Sequence, residues 1–349
     1  MKPAPTSLWV VDVCKAVASQ VIVWHHFIAY GPLARTLRPH AVSLFDWLYY
    51  DGRMAVQAFL VVGGFLAARS LAPRPEQLAF DPAASSIVSL AWSRYLRLLR
   101  PYLPALLLAI VVAACARFLM SDPDTPAAAS LKQVLFHVLL IHDIAGVDAL
   151  SAGVWYVAID FQLYCLLLFL LWLSQHLAIA LRLETQTLRL FLLVGLAALS
   201  LLWFNRVDSL EMWAIFFVGA YGLGVLVQWS TEERSKYPWL AILLLIYVLA
   251  LVLEWRARLV VSLMTAALLG LGLHTSYHPG HHFSRAVGWL SRISYSVFLI
   301  HYPIALLVGT LVAWLWPESI SFAVIGYLTA WLVTLGMSHV LYHHVERRR

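Results

Sequence analysis

Apolar residues dominate this chain in runs of about twenty, broken by short polar stretches that hold most of its charge. Crossing the hydrocarbon core of a bilayer takes roughly 20 apolar helical residues. By that measure the pattern predicts spans at 9–30, 47–69, 99–120, 153–174, 188–205, 210–228, 238–254, 258–274, 288–312 and 319–342. The fourth ends before Gln175-His176, and Asn205-Arg206-Val207-Asp208 joins the fifth tightly to the sixth. The 133–141 run, QVLFHVLLI, is too short to cross and reads as an interfacial or re-entrant piece. The fold class predicted is all-α: a polytopic integral membrane protein of about ten transmembrane helices, one membrane domain over 1–349 with no separate soluble domain. No internal repeat suggests a transporter built from inverted halves.

The basic residues test the count. With the N-terminus in the cytoplasm, Lys2, Arg69, Arg74, Arg94, Arg97, Arg100, Arg182, Arg189, Arg234, Lys236, Arg285, Arg292, Arg347, Arg348 and Arg349 fall inside. Arg35, Arg38, Arg117, Lys132, Arg206, Arg256 and Arg258 fall outside, and Lys15 and Arg53 lie within spans. Fifteen against seven fits ten spans with both ends cytoplasmic, because inner loops carry the excess of Lys and Arg. Composition agrees: 62% of residues are hydrophobic and 12% charged, about half the charged fraction of a soluble domain. The net charge of +6 sits mostly in short loops and does not argue for nucleic acid. Cys14, Cys115 and Cys165 lie in apolar segments without metal or disulfide spacing. The opening Met-Lys-Pro-Ala-Pro reads as leading into a retained first span rather than a signal peptide.

Polar residues inside such spans are costly unless they pair, face a cavity or perform chemistry. The first span carries Asp12, Lys15, His25 and His26. Asp12 and Lys15 share a helix face, and Lys15 can alternatively snorkel to the interface. His26 follows Asp12 by close to four turns, while His25 points about 100° away. Either histidine can serve at the interface beside Trp24. His26 is also a candidate general base, since imidazole titrates near neutrality. The second span brings Asp51, Arg53, Gln57 and the pair Gly63-Gly64, whose default role is close helix packing.

Arg94, Arg97 and Arg100 precede Pro101 at three-residue intervals. They read either as positive-inside anchors or as a phosphate clamp, for which the planar guanidinium fork is suited. Asp160 and Tyr164 lie four apart in the fourth span, and Arg53 or Lys15 are candidate partners for the acid. Ser294 and His301 lie seven apart in the ninth span, His301 just before Pro303. A hydrogen-bonded structural histidine is the plain alternative for His301. His274, His278, His281 and His282 around a Pro-Gly turn make a weak zinc pattern without acids or thiols. His343-His344 reads as part of a basic tail.

Taken in order, these segments resemble the membrane-bound acyltransferase-3 family, bacterial proteins that O-acylate polysaccharides, lipopolysaccharide and related glycans. The resemblance runs over essentially the whole chain. The family's opening L-D-G-L-R-G-x-A and following histidine correspond to V-D-V-C-K-A-V-A, Val11 to Ala18, and His26. Its G-x-x-x-F-F-x-L-S-G-F-L corresponds to Met54 to Leu66, and its R-x-x-R before proline to Arg94, Arg97 and Pro101. Its W-Y/F-L-x-x-E…Y falls on Trp155, Tyr156, Asp160 and Tyr164. Its late I-S-Y-S-x-Y-L-I-H-x-P is nearly intact as ISYSVFLIHYP, Ile293 to Pro303. The departures are Lys15 for arginine, Gly63 for serine and Asp160 for glutamate.

The resemblance implies an O-acyltransferase of the bacterial inner membrane that moves an acyl group, commonly acetyl, from cytoplasmic acyl-CoA to a hydroxyl of a glycan or glycolipid outside. It implies His26 as base, with Asp160 and Arg53 assisting. Arg94, Arg97, Lys15, Tyr164 and His301 are the implied donor-binding residues. No metal is expected. The expected partners are membrane lipids, the glycan acceptor and a separate polysaccharide-biosynthesis protein. The rival readings are a transporter or flippase for a lipid-linked glycan, and a non-catalytic assembly protein.

Overall fold

The computed structural model describes residues 9–72, 84–232, 236–274 and 281–347. In chain order its helices are α1 (Trp9–Ala29), α2 (Pro32–Leu37), α3 (Val42–Tyr50), α4 (Ala55–Ser70), α5 (Ala84–Leu119), α6 (Leu131–Val138), α7 (Trp155–Leu181), α8 (Thr185–Leu202), α9 (Ala214–Glu232), α10 (Tyr237–Leu253), α11 (Ala257–His274), α12 (His281–Leu315) and α13 (Ile320–Leu341). No strand occurs among the described residues. Every predicted span is α-helical over most of its length, the second being broken between α3 and α4. Seven segments among the described residues are long and apolar enough to cross a membrane, and two shorter apolar helices, Tyr237–Leu253 and Ala257–Leu273, fall below that length.

Two helices outrun their apolar windows. α5 begins at Ala84 and α12 at His281, so Arg94, Arg97 and Arg100 lie inside a helix that continues through Pro101 and Pro104. Hydropathy marks only the part that lies among apolar neighbours, and the polar first turns of both helices escape it. The short QVLFHVLLI run forms α6 from Leu131 to Val138, opened by a Ser130–Gln133 capping box.

The chain divides into two compact units. The first comprises residues 1–14, 57–95 and 159–280, the second 15–56, 96–158 and 281–349. In the first, α4 and α9 meet backbone to backbone. A Cβ added at Gly64 would lie 2.0 Å from the Tyr221 carbonyl oxygen, and one at Gly224 would lie 1.9 Å from that of Val61. This gives Gly64 the packing role expected of it. Buried Arg256 closes the ends of α8 and α10, donating to Asn205 Oδ1 (2.8 Å) and the Leu201 carbonyl (2.9 Å).

The second unit is organised around α1, α12 and α13. Its core gathers Val23, Phe27, Leu33, Val297, Ile304 and Ala330. Tyr327 donates to the Phe27 carbonyl at 2.7 Å and Trp331 to Gln20 at 2.8 Å, while Trp24 packs against both aromatic rings. These contacts fix the rotation of α1 and hence the direction of each histidine at its end.

Candidate active site

The two adjacent histidines have different duties. His25 Nδ1 donates to the Leu48 carbonyl at 2.9 Å, tying α1 to α3. His26 Nδ1 lies 2.7 Å from His301 Nε2, the two rings near-parallel at 11°. His301 is wholly buried, and its Nδ1 sits 3.1 Å from the Val297 carbonyl. A carbonyl can only accept, so Nδ1 of His301 carries a proton. With both rings neutral, Nε2 of His301 is then a lone pair and Nδ1–H of His26 donates to it. The proton is thereby excluded from Nε2 of His26, which is left as a base with no protein partner among the described residues.

A small cavity of about 10 Å³, room for roughly one water molecule, is lined by His26, Tyr30, Gly31, Asp124 and Tyr302. A second cavity of about 240 Å³ shares Gly31 and Asp124 with it and extends to Arg35, Arg38 and Tyr49. Gly153 presses on the imidazole. Its φ is +80°, and a Cβ there would meet His26 Cε1 and Phe298 Cζ at 3.1 Å. A side chain would be strained by its backbone and would crowd the base.

Tyr302, Asp124 and Gly153 had no signal in the sequence strong enough to select them. Asp124 lies in an ordinary-looking polar loop, and Tyr302 is one aromatic among many.

The first unit holds a second buried polar centre. Arg94 Nη2 pairs with Asp160 Oδ2 at 2.5 Å, and the guanidinium carbon lies 5.3 Å from the centre of the Tyr164 ring. The Arg94 side chain retains 24% exposure and that of Asp160 only 7%. The wholly buried Tyr221 lies within electrostatic reach of both. The structure therefore brings Arg94, Asp160 and Tyr164 together, and separately His26 and His301. The hydrogen-bond partner of His26 is His301, while Asp160, which the resemblance implies as an assisting residue, pairs with Arg94.

The remaining candidates are more exposed. Arg97 is exposed on α5, and Lys15 is half-buried on α1. Both lie within electrostatic reach of Glu346, which accepts a 2.6 Å hydrogen bond from Ser296. Glu346 was hidden in the sequence by the histidines and arginines around it. Arg53 is exposed, in a single 3-10 turn within electrostatic reach of His25. His278 and the side chains of His274, His281 and His282 lie outside the described residues. Among the described residues, no group of three His, Cys, Asp or Glu side chains is placed to hold a metal.

A second stacked histidine pair joins the last turn of α6 to the loop after it. His137 and His142 lie 4.1 Å apart between ring centres. Both nitrogens of His137 are used, one on the Gln133 carbonyl (2.8 Å) and one by the Leu150 N–H (3.0 Å). Burial, with His137 beside it, pushes the His142 imidazole down to about 3, and burial pushes the neighbouring Asp143 carboxyl up to about 6. At neutral pH their 3.3 Å contact thus joins a neutral ring to a carboxylate and is not an ion pair. His137 has thus spent the lone pair that His26 keeps, whereas neither nitrogen of His142 has a hydrogen-bond partner among the described residues.

A family model described as "Acyltransferase domain" matches residues 8–339. No curated protein matches the chain. No solved structure matches it.

Proposed function

Because this chain belongs to the acyltransferase-3 family, we propose that it is a multi-pass O-acyltransferase that moves an acyl group, commonly acetyl, from a cytoplasmic acyl-CoA to a hydroxyl of a glycan or glycolipid on the outer side of a bacterial inner membrane. Both termini are cytoplasmic in this reading, and a separate polysaccharide-biosynthesis protein presents the acceptor. The observation that carries it is the bare Nε2 of His26 beside a cavity, its other nitrogen committed to His301.

The reaction follows from that atom. The acceptor hydroxyl gives its proton to His26 Nε2 as its oxygen attacks the thioester carbonyl. The resulting imidazolium keeps its Nδ1–H bond to His301, which stabilises the charge. Collapse of the tetrahedral intermediate breaks the carbon–sulfur bond, and the proton on Nε2 passes to the departing thiolate. The products are the ester and free CoA. Arg97 and Lys15 hold the donor's phosphates, and Asp160 holds Arg94 in place with Tyr164 beneath it.

Purified protein incubated with radiolabelled acetyl-CoA and extracted cell glycans tests this. Label is expected to enter glycan with the native protein and not with His26→Ala. Movement of glycan across the membrane without label transfer would replace the enzyme with a transporter.

A further inference from the structure

The larger cavity, which shares Gly31 and Asp124 with the small one beside His26, also limits what the acceptor can be. Its walls include Gly31, Arg35, Arg38, Tyr49 and Asp124. Both guanidiniums are already engaged. Arg35 pairs with Asp122 and, at 2.7 Å, with Asp124, while Arg38 pairs with Asp46 at 2.9 Å. Three carboxylates thus meet two guanidiniums, and the set has no cation to spare for an anionic ligand.

Asp124 is held on every side but one. Its Oδ2 accepts from the Gly31 N–H at 3.0 Å and from Arg35. Its own N–H donates to Asp122 at 2.9 Å, and its carbonyl accepts from Tyr302 at 3.2 Å. Its Oδ1 has no protein partner among the described residues, on a residue that lines both cavities. A fixed carboxylate oxygen of this kind is an acceptor for a hydroxyl donor. The volume of about 240 Å³ is below the roughly 300–1,000 Å³ of pockets for drug-sized ligands, and suits one small ring. Tyr49, half-exposed, supplies an aromatic wall.

Resting on the acyl-transfer reading above, we propose that this cavity is the acceptor site and selects an uncharged polyol, a neutral sugar ring. One hydroxyl donates to Asp124 Oδ1 and another, the one acylated, to His26 Nε2. A sugar carrying its own carboxylate is rejected because the cavity sets like charge against it and offers no free counter-cation. The simpler account makes Asp124 only a latch that holds its loop to α2 through Arg35. It predicts no discrimination by acceptor charge.

The test uses full-length protein in nanodiscs with radiolabelled acetyl-CoA. The acceptors are methyl hexopyranosides, each paired with the matching uronate. The native protein is expected to favour the neutral member of an accepted pair by at least about 10-fold in kcat/KM. Asp124→Asn should raise transfer to the uronate and narrow that ratio to about 2–3-fold, since the amide keeps an acceptor oxygen without the charge. Tyr49→Ala, on an exposed side chain, should raise the acceptor KM about 5-fold with the acetyl-CoA KM unchanged.

Equal or better use of the uronate by the native protein overturns the proposal while leaving acyl transfer intact. An unchanged ratio in Asp124→Asn does the same. Should Asp124→Asn fail to fold, the native ratio and Tyr49→Ala decide. Absence of label transfer to every sugar and to cell glycans removes the acyltransferase reading together with this one.

Discussion

His26–His301 and Arg94–Asp160 are both polar pairs set among apolar helices, yet they are saturated to different degrees. The arginine and the aspartate each meet a full opposite charge, and Tyr164 flanks the guanidinium. The imidazole pair is a relay with one open end, running from the Val297 carbonyl through His301 to a vacant nitrogen on His26. A closed pair holds helices in register. An open relay holds one atom ready to receive a proton. His137, in the second unit, makes the same point, because both of its nitrogens are consumed and that imidazole offers no free lone pair.

The largest test of this distinction is removal of the open end. His26→Ala should lower acyl transfer by about 10³-fold or more, within the 10²–10⁴ that general-base catalysis contributes, with folding of the membrane protein retained. Loss confined to a few-fold would mean that another group takes the proton. His301 is the next link and acts through His26. His301→Ala should cost about 10²-fold, because the freed His26 then populates the tautomer with its proton on Nε2. His301→Gln should recover part of the loss through its carbonyl oxygen, and His301→Ala should also move the acid limb of the kcat/KM profile. A merely structural His301 would show lower stability in both variants with neither rescue nor a shifted profile.

How much of this was readable beforehand differs by residue. The histidine doublet and the ISYSVFLIHYP segment stood out because polar groups in hydrocarbon are few. The resemblance implied His26 as the base, but the residues alone did not say which of His25 and His26 was the structural one. That depended on the Leu48 carbonyl, which α3 delivers across 23 positions of chain. The predicted spans are helical over most of their length for the plain reason that backbone groups in lipid must satisfy one another. The extra turns of α5 escaped because hydropathy is silent where a helix leaves the apolar layer. Gly153, Asp124 and Glu346 act through distant partners, and no local pattern encodes such pairings.

Asp160 sharpens the comparison from the other side. Asp160→Asn leaves the Arg94 cation without its counter-charge. The cost should be about 1–3 kcal/mol of stability, below the 3–5 kcal/mol of a fully buried half-pair because Arg94 is 24% exposed. The double change Arg94→Met with Asp160→Leu should be more stable than Asp160→Asn alone, since it strands no charge. Activity per folded molecule should fall by less than about 5-fold in Asp160→Asn, well short of the factor a group acting on the base would cost. A loss near 100-fold in well-folded Asp160→Asn would make Asp160 part of the proton-transfer machinery and erase the division between a closed pair and an open relay.

The smallest expected effect concerns Glu346, a centre intermediate between the other two. Its carboxylate accepts from Ser296 and sits within electrostatic reach of Lys15 and Arg97, so it occupies the place that a donor phosphate is proposed to take. Glu346→Gln keeps an oxygen for Ser296 and removes the competing charge. Arg97 is exposed, and interactions between exposed charges are worth about 0–1 kcal/mol. The acetyl-CoA KM should therefore fall by about 2–5-fold at low salt, with kcat and the acceptor KM unchanged, and the difference should shrink as salt screens it. Arg97→Gln should move the same KM in the opposite direction. If Glu346→Gln raises the acetyl-CoA KM, Glu346 organises the cations for the donor instead of competing with it, and the pair counts as closed.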